Sequence, residues 1–479
     1  SFGRLEVKEV WEAGWKTALN IFGGRSSPSV ESDLMKREAI GFFVVFTVLS
    51  SFAIYSWSQE SAPIRLTLQE AIEKGLQANL SVLVADSRVQ ELEGTRVRRL
   101  ANLLPKVRTQ AYANLQNRNL RAFGISFPGV PEVVGPFSNY DFRVYADQSI
   151  VDLQSYRNYR AATLQAEAGK LDYQEARDLV IRSVAALYLN AQSAAARVNA
   201  AQSRVTLSEA LYRLAKDKHD AGVATGVDLL RAQVEWANDR QALLAAQNGY
   251  KQAILAIERN IGISPGTPLE LAEQLEFQPL NRPQIENSIS SALLNRSDFL
   301  SLATQRRSLA EQERASHARY FPKLGVSGNY GGLGRSIGSV QGTGLIQGTI
   351  DFTIFDRDRA GEAQEIAARL RRVDGQINDL RRGIEQDIRE ALLNLESTEE
   401  QVQVAKEGQD LAQRELDLAQ DRFQSGVANN VEVVTAQDAL ARAQENYIVA
   451  VSGHTDARFA LARALGGTEQ GISNYLKKP

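Results

Sequence analysis

The feature that most constrains this chain is that most of it is written twice. Gly222-Val223-Ala224-Thr225-Gly226-Val227-Asp228 returns as Gly426-Val427-Ala428-Asn429-Asn430-Val431-Glu432, an offset of 204 residues. The same offset carries Ala232-Gln233 to Ala436-Gln437, Gly262 to Gly466, and Ile150-Val151-Asp152 to Ile354-Phe355-Asp356. Nearer the start of each copy, Leu104-Pro105-Lys106-Val107 matches Phe321-Pro322-Lys323-Leu324 at an offset of 217. The first copy therefore holds 13 extra residues between Val107 and Ile150. The Gly/Pro-rich stretch from Gly124 to Pro136 is the natural place for them, because long insertions are tolerated in surface loops. A duplicated chain must solve the same folding problem twice.

Each copy reads as helix, two strands, very long helix, tight turn, long helix. The first helices are expected over 67–104 and 284–321, each stopped by a proline that cannot continue a helix. Period-2 alternation follows. Leu324, Val326 and Tyr330 alternate with Lys323, Gly325, Ser327 and Asn329; Ile346, Ile350, Phe352 and Ile354 alternate with Gln347, Thr349, Asp351 and Thr353. Tyr140, Phe142, Val144 and Ala146 do so against Asp141, Arg143, Tyr145, Asp147 and Ser149. Runs of this length with one apolar and one charged face suit tilted strands between lipid and water, although a soluble sheet over a core would alternate too. The Gly-rich stretch from Gly331 to Gly344 lacks a Gly-Lys-Ser/Thr ending and reads as the exposed loop of a hairpin.

The long helices carry an apolar seam. Val180, Val184, Leu187, Ala191, Ala194, Val198, Ala201 and Val205 step by alternating fours and threes, as do Ile384, Ile388, Ala391, Leu395, Thr398, Val402 and Ala405. A mean spacing of 3.5 keeps such a seam against a partner in a left-handed supercoil. About 70 residues of helix span roughly 100 Å, several bilayer thicknesses.

Composition excludes whole classes. Lys and Arg number 55 against 57 Asp and Glu, without the basic excess of a nucleic-acid binder. The absence of cysteine removes disulfides, thiolate zinc sites, a cysteine nucleophile and a lipid-bearing N-terminal Cys. His219, His317 and His454 lack ligand spacing, no Ser/His/Asp set stands out, and neither a metal, a cofactor nor an enzymatic reaction is expected. After the only methionine, Met35, come Lys36, Arg37, an apolar run from Ile40 to Ala53, and small Ser56 and Ser58. That is the layout of a secretory signal, too short for a membrane span. The expected division is 1–34 upstream of the mature chain, 35–58 signal peptide, 59–283 first repeat with a β-hairpin at 105–152 and a turn at 222–226, 284–467 second repeat with a β-hairpin at 322–355 and a turn at 426–430, and 468–479 as a tail.

Two copies of helix, β-hairpin, long helix, Gly-initiated turn and helix resemble the TolC family of outer-membrane factors, over about residues 64–467. Ala292-Leu293-Leu294-Asn295-Arg296-Ser297-Asp298 is similar to that family's Ala-Leu…Arg-Pro-Asp-Leu pattern, with Ser297 in place of proline. The resemblance implies a mainly α fold with membrane β: a homotrimer whose twelve-stranded β-barrel, four strands per chain, continues as a long antiparallel coiled-coil α-helical barrel. It implies a passive exit duct of a tripartite efflux or type I secretion system in the Gram-negative outer membrane, among its lipids, reaching into the periplasm. A periplasmic adaptor (membrane fusion protein) and an inner-membrane pump would be its partners. A soluble periplasmic coiled-coil scaffold or adaptor is the other reading, but adaptors use one helical hairpin where this chain has two.

The resemblance also places function at the turns. Gly supplies the positive φ that ends one helix, and Thr225 or Asn429 can cap the next. Gly222, Val223, Ala224 and Thr225, with Gly426, Val427, Ala428 and Asn429, would form the tips that meet the adaptor. Glu432 falls where the family narrows the tunnel mouth with acidic side chains, and a second acid one turn on is replaced by Thr435. Asp228, also read as a gate residue, matches a position tied to a basic and an aromatic hydroxyl partner. Those positions are Ala428 and Phe423 here, so that link is expected to be missing and other contacts must hold the mouth.

Overall fold

The computed structural model describes residues 64–279, 284–428 and 430–469. The expected signal segment and everything upstream of it lie outside these residues, as do Asn429 and the tail from residue 470.

The first half opens with a short strand β1 (Ile64–Leu66), then α1 (Leu68–Ala78) and α2 (Leu80–Leu100). A hairpin of β2 (Lys106–Asn119) and β3 (Val133–Val151) leads into α3 (Leu153–Asp220) and α4 (Gly226–Ile261). β4 (Leu269–Leu271) pairs parallel with β1. The second half repeats the order as α5 (Ile285–Asn295), α6 (Ser297–Ala318), β5 (Lys323–Gly334), β6 (Gln341–Asp351), α7 (Asp358–Gln424) and α8 (Asn430–Ala464).

Three expectations need correction. The single helices expected over 67–104 and 284–321 are each broken by one extended residue, Asn79 (ψ 126°) and Arg296 (ψ 120°). The two breaks are equivalent under the 217-residue offset. Each packs against the left-handed glycine that ends a long helix: a Cβ on Gly262 would lie 2.5 Å from Ala78 Cβ, and one on Gly466 would lie 2.7 Å from Arg296 N. That close approach accounts for the repetition of Gly262 as Gly466. Asn79 caps α2 through Ser81 N (2.9 Å), whereas Arg296 is buried and ion-paired to Asp298 (2.7 Å) and Asp387 (2.8 Å).

Second, Gly331, Gly332 and Gly334 are strand residues of β5, paired to Arg143, Phe142 and Tyr140 of β3; only 335–340 turns the hairpin. A Cβ on Gly331 would meet Phe142 O at 1.9 Å, so glycine is required for strand approach, not for a loop. Third, the extra length of the first copy is not all loop. β3 starts at Val133, and Gly135 and Pro136 sit at the bulge where the β2–β3 register shifts. Conversely β6 stops at Asp351, leaving Phe352, Ile354 and Phe355 exposed beyond it.

The four long strands form one antiparallel sheet in the order β2-β3-β5-β6. Register puts Val107, Ala111 and Leu115 beside Ala146, Phe142 and Ser138, and continues across through Val144, Tyr330 and Gly344. The opposite face carries Arg108, Tyr112, Asp141, Arg143, Asn329 and Lys323. There Tyr112 Oη donates to Asp141 Oδ2 (2.9 Å) and Arg143 Nε to Asp141 Oδ1 (2.8 Å). The alternation read from sequence therefore becomes one apolar and one polar face. Among the described residues no helix is long and apolar enough to cross a membrane.

The helical half is two antiparallel hairpins, α3 with α4 and α7 with α8. Val180, Val184, Ala191, Ala194 and Ala201 are buried along α3, and Ile384, Ile388, Ala391, Leu395 and Val402 along α7, as the heptad steps require. Ile181, Ala185, Tyr188 and Leu189 widen the buried face of α3, because α1, α2, α6 and α8 also pack on it. Each of the buried Val, Ile and Leu side chains among these contributes about 1.5–3 kcal/mol on burial, and the alanines less.

Candidate functional site: two helical tips

At the far end of each hairpin the chain reverses in the same backbone. Gly222 and Gly426 both have φ of +75°. Lys218 O accepts from Val223 N (2.8 Å) and Ala224 N (3.1 Å); Arg422 O accepts from Val427 N (2.9 Å) and Ala428 N (3.2 Å). This is the left-handed C-terminal cap that satisfies otherwise orphaned helix carbonyls. Val223 and Val427 project outward, 78% and 70% exposed, so each tip presents an apolar knob.

The side chains break that symmetry. At the first tip Thr225 and Asp228 form a capping box: Thr225 Oγ1 accepts from Asp228 N (3.3 Å), and Asp228 Oδ2 accepts from Thr225 N (3.3 Å) and Oγ1 (2.7 Å). Arg231 stands 3.6 Å from Asp228 Oδ1. Asp228 is thus turned towards its own helix start, where a carboxylate is favoured.

At the second tip Glu432, one methylene longer, faces Arg422 Nε at 2.8 Å and closes α7 onto α8. Glu432 therefore has a basic partner in its own hairpin, and its charge is compensated there. The capping role expected for Asn429 lies outside the described residues. Thr435 Oγ1 donates to Val431 O (2.9 Å), a local helix contact.

Between the tips run contacts that sequence reasoning did not assign. Lys218 Nζ donates to Phe423 O (2.5 Å) and lies 4.2 Å from the Phe423 ring centroid. Buried Asn430 donates from Nδ2 to Asp228 O (3.2 Å). Under the 204-residue offset Lys218 is the counterpart of Arg422, a cation at the same place in both tips, and that equivalence was the available signal. What it does not say is that one cation crosses to the other hairpin while its twin stays at home. Beneath these contacts Leu211 of α3 packs with Leu416, Ala419 and Phe423 of α7 and Val433 of α8.

Two turns into α4 a second difference appears. Burial, and after it the charges of Asp239 and Asp438, push the Glu235 carboxyl up from its ordinary value. Asp239 is buried and paired with Arg204 of α3 at 2.6 Å. The equivalents of Glu235 and Asp239 in the second hairpin are Ala439 and Ala443. Among the described residues no group of His, Cys, Asp and Glu is arranged to hold a metal.

The same architecture is found in known proteins. The profile of the outer membrane efflux protein family matches residues 71–262 and 288–467, one segment in each copy of the repeat. The pyoverdine export outer membrane protein OpmQ of Pseudomonas aeruginosa is 23% identical over 419 residues, covering 86% of each chain. The probable efflux pump outer membrane protein TtgC of Pseudomonas putida is 24% identical, over 67% of this chain and 68% of that one. Among solved structures, the outer membrane protein VceC of Vibrio cholerae aligns with a TM-score of 0.71 at 18% identity, covering 84% of this chain and 96% of that one. The MtrE outer membrane channel of Neisseria gonorrhoeae aligns at 0.70 and 18%, over 84% and 89%. With the duplicated hairpins, the four-stranded sheet and a family profile spanning most of its length, this chain belongs to the outer membrane efflux protein family.

Proposed function

We propose that the protein is the outer-membrane exit duct of an export system, a passive conduit rather than an enzyme. The observation that carries this reading is the sheet. Its four strands have one apolar and one polar face, and among the described residues its outer strands β2 and β6 each leave one edge unpaired. Such a sheet is viable in a bilayer only when its edges are closed by further strands. Three copies give a twelve-stranded barrel, with lipid against Val107, Phe142, Val144 and Ile350 and water against Arg108, Asp141 and Arg143. The helical hairpins, about 100 Å long, then continue the conduit into the periplasm. We read 59–283 and 284–467 as the two repeats that supply them.

In this reading the tips, Gly222 to Thr225 and Gly426 to Asn429, meet a periplasmic adaptor, and an inner-membrane pump supplies the energy. The exposed Val223 and Val427 are suited to a partner's apolar groove. Glu432 lines the mouth as a carboxylate shared with Arg422, so the three copies form a weakly acidic ring. Charge rings of this kind bias ion passage without chemistry.

Fractionation and deletion test the reading. Deleting the gene should sensitise cells to exported compounds, and the protein should leave the envelope only in detergent. Release by high salt or osmotic shock would instead establish a soluble scaffold.

A further inference from the structure

The two tips are joined through the ammonium group of Lys218, which pairs with no carboxylate among the described residues. Lys218 lies in the last turn of α3 and reaches the Phe423 carbonyl, one of the last four of α7. Those carbonyls have no partner inside their own helix, and together they form the negative end of the helix dipole. Phe423 O already accepts from Gly426 N (3.2 Å), and Lys218 takes the remaining lone pair. The ammonium also stands over the Phe423 ring, whose face attracts cations. Phe423 itself is only 5% exposed, so ring and carbonyl are held in place by the cluster beneath them.

The partition of charges explains why Lys218 is available for this contact. Asp228, on the next helix of the same hairpin, is occupied by Thr225 and Arg231. The twin cation Arg422 is held by Glu432 within the second hairpin. Asn430 adds a neutral bond in the opposite sense, from the second tip to the backbone of the first.

We propose that Lys218 is the residue that latches the first hairpin to the second and so sets how far the mouth stands open at rest. This rests on the exit-duct reading above. The latch is a cation bound to a helix-end carbonyl and an aromatic face; the sequence positions that would form a carboxylate link to Asp228 are Ala428 and Phe423. Splaying the hairpins breaks both halves at once and leaves a helix-end carbonyl short of one donor. Three copies would act together around one mouth.

Planar-bilayer recordings of the detergent-purified protein test this, comparing wild type with Lys218→Met, Lys218→Arg and Phe423→Leu. Lys218→Met keeps the aliphatic stem and should raise the resting open probability about tenfold, the worth of a charge-assisted bond. Lys218→Arg should stay close to wild type, since it can donate to the same carbonyl. Phe423→Leu keeps the carbonyl and loses the ring, so its increase should be smaller than that of Lys218→Met. Circular dichroism and native mass, unchanged among the four proteins, show that the change is not unfolding. Equal resting activity of wild type and Lys218→Met overturns the latch and leaves the duct standing. Absence of channel events from all four proteins overturns the duct, and the latch falls with it.

Discussion

The two tips share a backbone and differ in wiring. Gly222 and Gly426 have the same φ, and the carbonyls of Lys218 and Arg422 each accept from the same two positions of the turn. Yet the first tip spends its acid on capping its own helix and sends its cation across to the second hairpin. The second tip pairs its acid and cation with each other. Duplication supplied identical scaffolds, and the latch proposed above needs the two hairpins to differ. The turn geometry is common because glycine in the left-handed region is the simplest way to reverse a helix. The side chains are where the copies could diverge without disturbing the fold.

The largest expected effect lies away from the tips, part-way along α3 and α7 where α4 and α8 end, and there the helix breaks also differ in wiring. Arg296→Met removes a buried guanidinium from Asp298 and Asp387 and should cost about 3 kcal/mol. Asn79→Ala at the equivalent break loses one cap and should cost about 1 kcal/mol. Thermal or denaturant unfolding of the two variants measures both; equal losses would mean that the breaks are held by packing alone.

Next, Gly222→Ala and Gly426→Ala should each cost about 1–2 kcal/mol, the strain of a side chain at positive φ. No other atoms crowd either position, so the two losses should match. A marked inequality in the same unfolding experiment would break the claim of a shared backbone.

A smaller difference concerns pH. The folded Glu235 carboxyl has its pKa raised above the ordinary 4.5 by burial and then by Asp239 and Asp438. Its stabilising contribution is therefore present in full below pH 4.5 and lost as pH rises through the folded value. Glu235→Gln should flatten that part of the stability curve, whereas changing Ala439 to Ser should leave its slope unaltered. Retention of the slope in Glu235→Gln would assign it to other groups.

The smallest effect is expected at Glu432. The pair with Arg422 is solvent-exposed on both sides, so Glu432→Gln should cost no more than about 0.5 kcal/mol. Its readout is ion preference: wild-type channels should show a modest preference for cations that weakens in the variant. An unchanged preference would remove Glu432 from the mouth.

Much of this architecture was legible in the sequence, and the rest was hidden for identifiable reasons. The heptad steps of Val180 to Val205 and Ile384 to Val402, the glycines of the tips and the prolines after each first helix are local signals, and local geometry decides them. The breaks at Asn79 and Arg296 were not legible, because neither residue forbids a helix and their close contacts with Gly262 and Gly466 come from the far end of each repeat. Gly331 looked like loop because glycine is common there, and only the crossing of β3 shows that a side chain would not fit. Asp228 and Lys218 were both visible as charges, but which partner each would take depends on how two hairpins lie side by side. The equivalence of Lys218 with Arg422 even suggests that they should behave alike, and they do not.

The most direct test of the whole account is the number of chains in the detergent-purified protein, measured by native mass spectrometry. The account predicts three, since four strands per chain close a twelve-stranded barrel only in that number. A protein that stays folded and membrane-bound as a monomer or a dimer would contradict it, because β2 and β6 would then face lipid with their edges unpaired.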